Sequence, residues 1–134
     1  MKVLKIDHLG IAVPALDAAV DAFRALGFEL GDTHEVPTEK VKVAFLPVGE
    51  SRLELLEPST PDSVIARFLQ TRKGLHHVCL LVDDIEGALA ELKAKGVELL
   101  DQVPRIGAGG RKVAFLHPRA ASGVLLELVE RKGI

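Results

Sequence analysis

The feature that most constrains this chain is an internal repeat that covers most of its 134 residues. The segment 8–32, HLGIAVPALDAAVDAFRALGFELGD, aligns without a gap on the segment 77–101, HVCLLVDDIEGALAELKAKGVELLD, at an offset of 69 positions. Further matches follow at offsets of 70 and 73: 42–46 with 112–116, and 53–55 with 126–128. Because the matches keep their order, and small insertions in turns explain the drift in offset, the sequence predicts two copies of one folding unit.

Each copy carries the same pattern of secondary structure. A short strand pattern comes first, over 6–13 and 77–82, and an amphipathic helix with apolar residues at i, i+4 and i+7 follows it. Three β-rich stretches complete each copy: 28–30, 41–48 and 52–56 in the first, and 97–100, 112–117 and 124–130 in the second. The pattern therefore predicts an α+β fold of two paired βαβββ modules.

The repeat also predicts the domain organisation, a single domain over 1–134. Thr60 as N-cap and Pro61 as first helical residue predict a linker helix that ends at Gly74. One helix covers only one face of a module's sheet, so we expect the modules to pair and form a curved mixed sheet around a metal cleft. The predicted parts are the first module at 4–58, the linker at 59–74 and the second module at 75–131.

Composition excludes several classes of protein. The net charge of −2, with five Phe and no Tyr or Trp, provides neither the basic field nor the stacking platforms of a nucleic-acid-binding protein. The single cysteine fits a reducing compartment. No apolar run reaches the length of a membrane span, and charged residues come too early for a signal peptide, so we expect a cytoplasmic protein without a membrane partner.

Two histidines and two glutamates recur at equivalent positions of the copies. His8 and His77 lie in the first strands, and Glu54 and Glu127 lie among leucines in the last strands. Taken singly, such residues are typical of structural histidines and of glutamates that face solvent. A carboxylate in an apolar strand is costly unless it is paired or binds a metal, and the shared symmetry favours one His2Glu2 site. These donors suit Co, Mn, Ni, Zn or Fe, and two coordination positions remain for a bidentate substrate.

Three other features are less informative. His76 adjoins His77 but points to the opposite face of the strand, so the repeat selects His77 as the partner of His8. The glycine-rich segment 107–110 lacks the ending of a phosphate-binding P-loop and reads as a hairpin loop. Cys79 reads as a small core residue.

Several segments resemble a known superfamily. They are 8–14 HLGIAVP, 53–58 LELLEP, 62–69 DSVIARFL, 74–79 GLHHVC, 106–110 IGAGG, 115–118 FLHP and 123–127 GVLLE. Together with the paired modules, they resemble the vicinal oxygen chelate superfamily, which includes glyoxalase I, extradiol dioxygenases and fosfomycin-resistance proteins. Within it, the chain is similar over nearly its whole length to the methylmalonyl-CoA epimerase family.

The resemblance implies a metal-dependent epimerase of propionate metabolism. It implies an acyl-CoA substrate, a homodimer, and a divalent ion (Co or Mn before Ni or Zn) bound by His8, Glu54, His77 and Glu127. Glu127 is the expected first base and Glu54 the second, with Glu39 or a bound water as alternatives. Some epimerases have Gln in place of Glu54, and some carry a glutamate base on the strand that matches 42–44, where this chain has no acid.

Two alternative functions remain open from the sequence. A glyoxalase I-type, glutathione-dependent lyase uses the same His and Glu frame. The segment 117–123, HPRAASG, disfavours it because those enzymes usually have an Asp-Pro-Asp-Gly-like turn there. A metal-free small-molecule-binding protein of the same fold is disfavoured because such proteins tend to lose the His and Glu set.

Overall fold

The computed structural model describes residues 1–131, and its contacts divide the chain into two compact units. One unit is His8–His76, and the other joins Met1–Asp7 to the chain from His77 onward. The division falls inside the strands β1, Val3–Ala12, and β5, Gly74–Val82. Within residues 1–131, no helix has the length and apolar character needed to cross a membrane.

The unit His8–His76 has the predicted βαβββ order. After β1 come α1 (Leu16–Ala25), β2 (Thr33–Val36), β3 (Val41–Val48), β4 (Ser51–Pro58) and α2 (Val64–Leu69). The strands lie in the order β2-β3-β4-β1, and β1 pairs with β4 in parallel while the other pairs are antiparallel. Apolar residues of α1 pack on β3 and β4 because its i, i+4 stripe faces the sheet, and Leu46 and Leu55 are fully buried there.

The other unit repeats this order. After β5 come α3 (Ile85–Ala94), β6 (Arg105–Ile106), β7 (Lys112–Phe115) and β8 (Leu126–Glu130), with short 3-10 turns at Ala108–Gly110 and Pro118–Ala121. The strands lie in the order β5-β8-β7-β6, with β5 and β8 parallel. One core forms under α3 around Ile85 and Leu128, and Cys79 is fully buried in a second cluster, as predicted.

A glutamate at the end of each parallel partner strand binds the start of the module's helix. Glu57 Oε1 accepts a hydrogen bond from the Leu16 amide at 2.6 Å, and Glu130 Oε2 accepts one from the Ile85 amide at 3.1 Å. Both carboxylates therefore satisfy amides that lack partners within their helices, and they sit at equivalent positions of the repeat. The sequence prediction missed this pair.

The predicted first β-stretch after each helix is wrong. Residues 28–30 are not a strand: the Phe28 amide donates to Phe23 O at 3.1 Å, at the end of α1, and the bond to β3 comes from the next residue, with Gly31 N donating to Phe45 O at 2.7 Å. In the other unit, 97–100 contributes only an isolated bridge between Leu99 and Leu116. The strands form later, at β2 and β6, because Phe28 in one segment and Val97 and Leu99 in the other pack into the helix-side cores instead.

The predicted start of the linker helix is also wrong. Ser63, not Thr60, is the N-cap: its hydroxyl accepts a hydrogen bond from the Ile65 amide at 3.1 Å, and Ser63 is almost fully buried. Thr60 instead donates to Asp62 at 2.6 Å, before the helix begins. The helix ends at Leu69, and Gly74 starts β5 with a φ of +92°.

Candidate metal centre

The first His–Glu pair lies on two parallel strands of the unit His8–His76. The β1–β4 register places Gly10 opposite Glu54 and His8 opposite Arg52, so His8 reaches along the ladder to the glutamate. His8 Nδ1 lies 3.1 Å from Glu54 Oε2, and both residues are 5% exposed. The leucines beside Glu54 therefore bury a carboxylate that already has an imidazole as partner.

The second pair forms inside the other unit. Cys79 stands opposite Glu127 in the β5–β8 register, and His77 precedes Cys79 by two residues, on the same strand face. His77 Nε2 lies 3.0 Å from Glu127 Oε1, and both residues are less than a tenth exposed. Each unit thus contains one buried His–Glu pair.

The two pairs occupy equivalent ladder positions. Gly10 and Cys79 stand opposite the two glutamates on one side, and Phe45 and Phe115 stand opposite them on the antiparallel side. His77 packs on Phe115 in an edge-to-face arrangement with a centroid distance of 5.5 Å, and Arg52 lies over Phe45 at 4.9 Å. Within each unit, the structure therefore brings together a histidine and a glutamate that each have a repeat counterpart in the other copy.

An arginine that the sequence prediction missed holds the first glutamate. Arg52 approaches Glu54 Oε2 with Nε at 3.0 Å and a terminal guanidinium nitrogen at 2.9 Å, and it stacks over Phe45 at 4.9 Å. Its sequence signal is the spacing of two from Glu54 on one strand, which places both side chains on one face. The repeat-equivalent residue is Leu125, so the second copy has no cation at that position.

Other residues singled out from the sequence lie outside these pairs. The ring of His76 packs against Phe68 at 4.8 Å, on the opposite strand face from His77. Glu39 lies in the turn between β2 and β3 and is half-buried. The segment 107–110 is the loop of the β6–β7 hairpin, and Arg111 at its end bonds the buried Asp7 carboxylate at 3.0 Å.

The segment after β7 is held by a charged contact at the surface. The guanidinium of Arg119 donates two hydrogen bonds to Glu98, at 3.2 and 3.0 Å, and this contact lowers the pKa of the Glu98 carboxyl from its ordinary value. His117 Nδ1 accepts a hydrogen bond from the Arg119 amide at 3.0 Å. The turn therefore has a defined conformation before β8 brings Glu127 to its buried position.

The chemistry of the donors fits a divalent ion. Each pair supplies one imidazole nitrogen and one carboxylate oxygen in a buried environment, and such mixed sets suit borderline to hard divalent metals. Burial of two carboxylates is costly without a compensating positive charge. The pairs therefore have the composition and the burial of metal ligands.

Comparison with known proteins identifies related sequences and structures. A family model described as Glyoxalase/Bleomycin resistance protein/Dioxygenase superfamily matches residues 7–115. The mitochondrial methylmalonyl-CoA epimerase of Bos taurus is 42% identical over 127 residues, which cover 92% of this chain and 73% of the relative. The ethylmalonyl-CoA/methylmalonyl-CoA epimerase of Cereibacter sphaeroides is 41% identical over 128 residues, which cover 92% of this chain and 96% of the relative.

A solved structure agrees with these relatives. A methylmalonyl-CoA epimerase in complex with methylmalonyl-CoA and NH4+ superposes with a TM-score of 0.93 at 37% identity, and the match covers 99% of this chain and 98% of that one. This likeness confirms the predicted fold class of paired βαβββ modules.

Proposed function

The chain belongs to the glyoxalase/bleomycin resistance/dioxygenase superfamily, and from this premise we infer that it is a methylmalonyl-CoA epimerase. It interconverts the (2R) and (2S) forms of methylmalonyl-CoA. The observation that carries this function is the match to epimerases over nearly the whole chain, together with a buried His–Glu pair in each unit. Neither the glutathione-dependent lyase nor the metal-free binding protein finds support among these relatives.

We further propose that His8, Glu54, His77 and Glu127 together bind one divalent ion, Co or Mn before Ni or Zn. Support comes from the equivalence of the two pairs in sequence, in ladder position and in burial. A bound ion supplies positive charge that stabilises the negative charge developing on the substrate's thioester oxygen.

The carboxylates supply the proton chemistry. The C2 carbon lies between a thioester carbonyl and a carboxylate. Inversion requires removal of the C2 proton from one face of this carbon and addition of a proton to the other face. In one direction Glu127 accepts the proton as general base, the C2 electron pair moves into the enolate, and a group on the opposite face returns a proton to C2. Glu54 is the proposed second group because it is the repeat counterpart of Glu127, and Glu39 or a water molecule is the alternative.

We propose a homodimer that acts in the cytoplasm in propionate metabolism. Closed symmetric dimers are the commonest assembly of soluble proteins, which supports the oligomeric state. The substrate of the bacterial relative, named as an ethylmalonyl-CoA/methylmalonyl-CoA epimerase, supports a place in acyl-CoA metabolism.

Epimerisation of a single pure epimer tests the function. Purified protein loaded with Co2+ should convert (2R)-methylmalonyl-CoA to the equilibrium mixture, and a chelator should abolish the conversion. In parallel, the glutathione–methylglyoxal adduct should not react. Turnover of that adduct alone would move the function to the lyase, and absence of both activities with no metal uptake would favour the binding protein.

A matched pair of variants tests the first base. Glu127→Gln should slow entry of solvent deuterium at C2 by at least about 100-fold from one epimer, because an amide cannot accept the proton. Glu130→Gln, on the same strand, keeps an oxygen acceptor for the Ile85 amide and should retain the wild-type rate. Wild-type exchange from both epimers in Glu127→Gln would show that Glu127 is not a base.

A further inference from the structure

A guanidinium lies against Glu54 of the first His–Glu pair, where the repeat-equivalent position of the second pair carries Leu125. Both nitrogen contacts of Arg52 and the His8 contact meet at the same carboxylate oxygen, Oε2, at 2.9–3.1 Å. Glu54 is 7% exposed at its side chain, and Arg52 is 30% exposed, so the pair lies at the border of the buried site. The two guanidinium nitrogens on this oxygen, with the His8 nitrogen beside it, restrict the rotation of the carboxylate about its last torsion.

The position of Arg52 is itself defined by the strands. Arg52 precedes Glu54 by two residues on β4, stands opposite His8 in the ladder, and packs over the ring of Phe45. The packing on Phe45 restricts the long side chain before any ligand binds, which reduces the entropy lost in holding the carboxylate. At the equivalent position of the other copy stands Leu125, directly before the Leu-Glu-Leu triplet that the two copies share.

From these contacts we infer that Arg52 is a positioning residue that orients Glu54 and offsets its charge, so that the site accepts an anionic acyl group. The inference rests on the proposed function. The two glutamate charges formally cancel the charge of a divalent ion, and neutral histidines add none. The proposed set of ligands and ion therefore has no net charge to attract the carboxylate of the substrate. Arg52 adds one positive charge at the border of that set, on the side of Glu54.

Removal of Arg52 therefore has a distinctive expected effect. Arg52→Leu, which installs the residue of the other copy, should raise KM for methylmalonyl-CoA by about 10- to 30-fold, the low end for a charged contact that is partly exposed. Co2+ affinity should stay within about threefold, because the loss of a contact that orients Glu54 and the loss of a cation beside the ligands act in opposite directions. Inhibition by propionyl-CoA, which has the same coenzyme tail but no acyl carboxylate, should change by less than about threefold.

Two further variants separate charge from structure. Arg52→Lys keeps the charge and should recover KM to within about threefold to fivefold of the wild type. The double variant Arg52→Leu/Glu54→Gln removes both charges of the pair and should lower KM relative to Arg52→Leu by at least about fivefold. A purely structural arginine predicts no such rescue and predicts a loss of Co2+ affinity in Arg52→Leu.

The experiment measures KM and kcat, the propionyl-CoA inhibition constant, Co2+ binding by titration calorimetry and folding by circular dichroism for all four proteins. An Arg52→Leu protein that is folded and has the wild-type KM, or a double variant no better than Arg52→Leu, overturns the inference. Failure of the wild-type protein to bind Co2+ or to epimerise overturns the proposed function instead, so the two failures are distinguishable.

Discussion

The buried pair of His77 and Glu127 makes a prediction about stability that needs no enzyme assay. In metal-free protein, His77→Leu leaves the Glu127 carboxylate, in contact with His77 Nε2 at 3.0 Å in the wild type, without that partner. Removing one partner of a buried carboxylate typically costs about 3 kcal/mol, so the free energy of unfolding should fall by about that amount. For a chain of this length that corresponds to a drop in Tm of roughly 10 °C.

The double variant His77→Leu/Glu127→Leu should behave differently. Replacing both members of a buried pair by apolar residues of similar volume is often close to neutral, so the metal-free double variant should lie within about 1 kcal/mol of the wild type. The single variant should therefore be less stable than the double variant. Urea unfolding followed by circular dichroism, in the presence of a chelator, measures all three free energies.

Addition of Co2+ completes the test. At about 100 times its dissociation constant, Co2+ should stabilise the wild type by about 2.7 kcal/mol, and the double variant by much less. His76→Leu is the matched control, because its ring packs on Phe68 and not on Glu127, and it should retain the full stabilisation by metal. Equal stability loss in the single and double variants would refute the buried pair, and undiminished stabilisation of the double variant by Co2+ would refute its role in metal binding.

Three other predictions concern the scaffold. Leu46→Ala should lower the free energy of unfolding by about 2–4 kcal/mol in urea, because Leu46 is fully buried, and a loss below about 1 kcal/mol would contradict that packing. Glu57→Ala removes the acceptor of the Leu16 amide and should cost about 1 kcal/mol in the same assay, whereas Glu57→Gln should cost less. The hydrogen bond from Lys40 lowers the pKa of Asp62 to about 2, so its stabilising effect is complete above the ordinary value of 3.8 and is lost as pH falls through about 2. Lys40→Met should move the Asp62 pKa towards 3.8 in an NMR titration, and an unchanged value would exclude the contact in solution.

The internal repeat predicts the fold better than any local pattern does. It pairs His8 with His77 and Glu54 with Glu127, and the ladder registers place these residues at equivalent positions within their units. Matched positions are informative because a duplicated unit must bury the same faces in both copies. The repeat therefore selects His77 over His76, a choice that strand alternation alone does not make.

Local signals failed where several residues compete for one role. Thr60 with Pro61 is a reasonable helix start, but the shorter helix begins after Ser63, whose hydroxyl is buried and reaches the Ile65 amide. Similarly, the segment 28–30 has a strand-like pattern, but Phe28 packs in the core beside α1 while Leu30 is exposed. Tertiary packing decides both cases, and it is not encoded in the composition of the segment.

Long-range polar contacts were the hardest to anticipate. Glu57 and Glu130 bind helix amides 41 and 45 residues away along the chain, so no local motif contains both partners. The repeat held the signal, since the two glutamates are equivalent. Arg52 was missed because its repeat equivalent is Leu125, so the comparison of the two copies does not mark this position as a shared polar site.

The central claim is that this chain inverts methylmalonyl-CoA at C2 with the help of a bound metal. Its most direct test incubates one pure epimer with the wild-type protein in deuterated water, with Co2+ or with a chelator, and follows C2 by mass spectrometry. We predict deuterium at C2 together with the opposite epimer, both dependent on metal. Absence of deuterium entry with the metal-loaded protein, or the same exchange rate in the presence of chelator, would contradict the account.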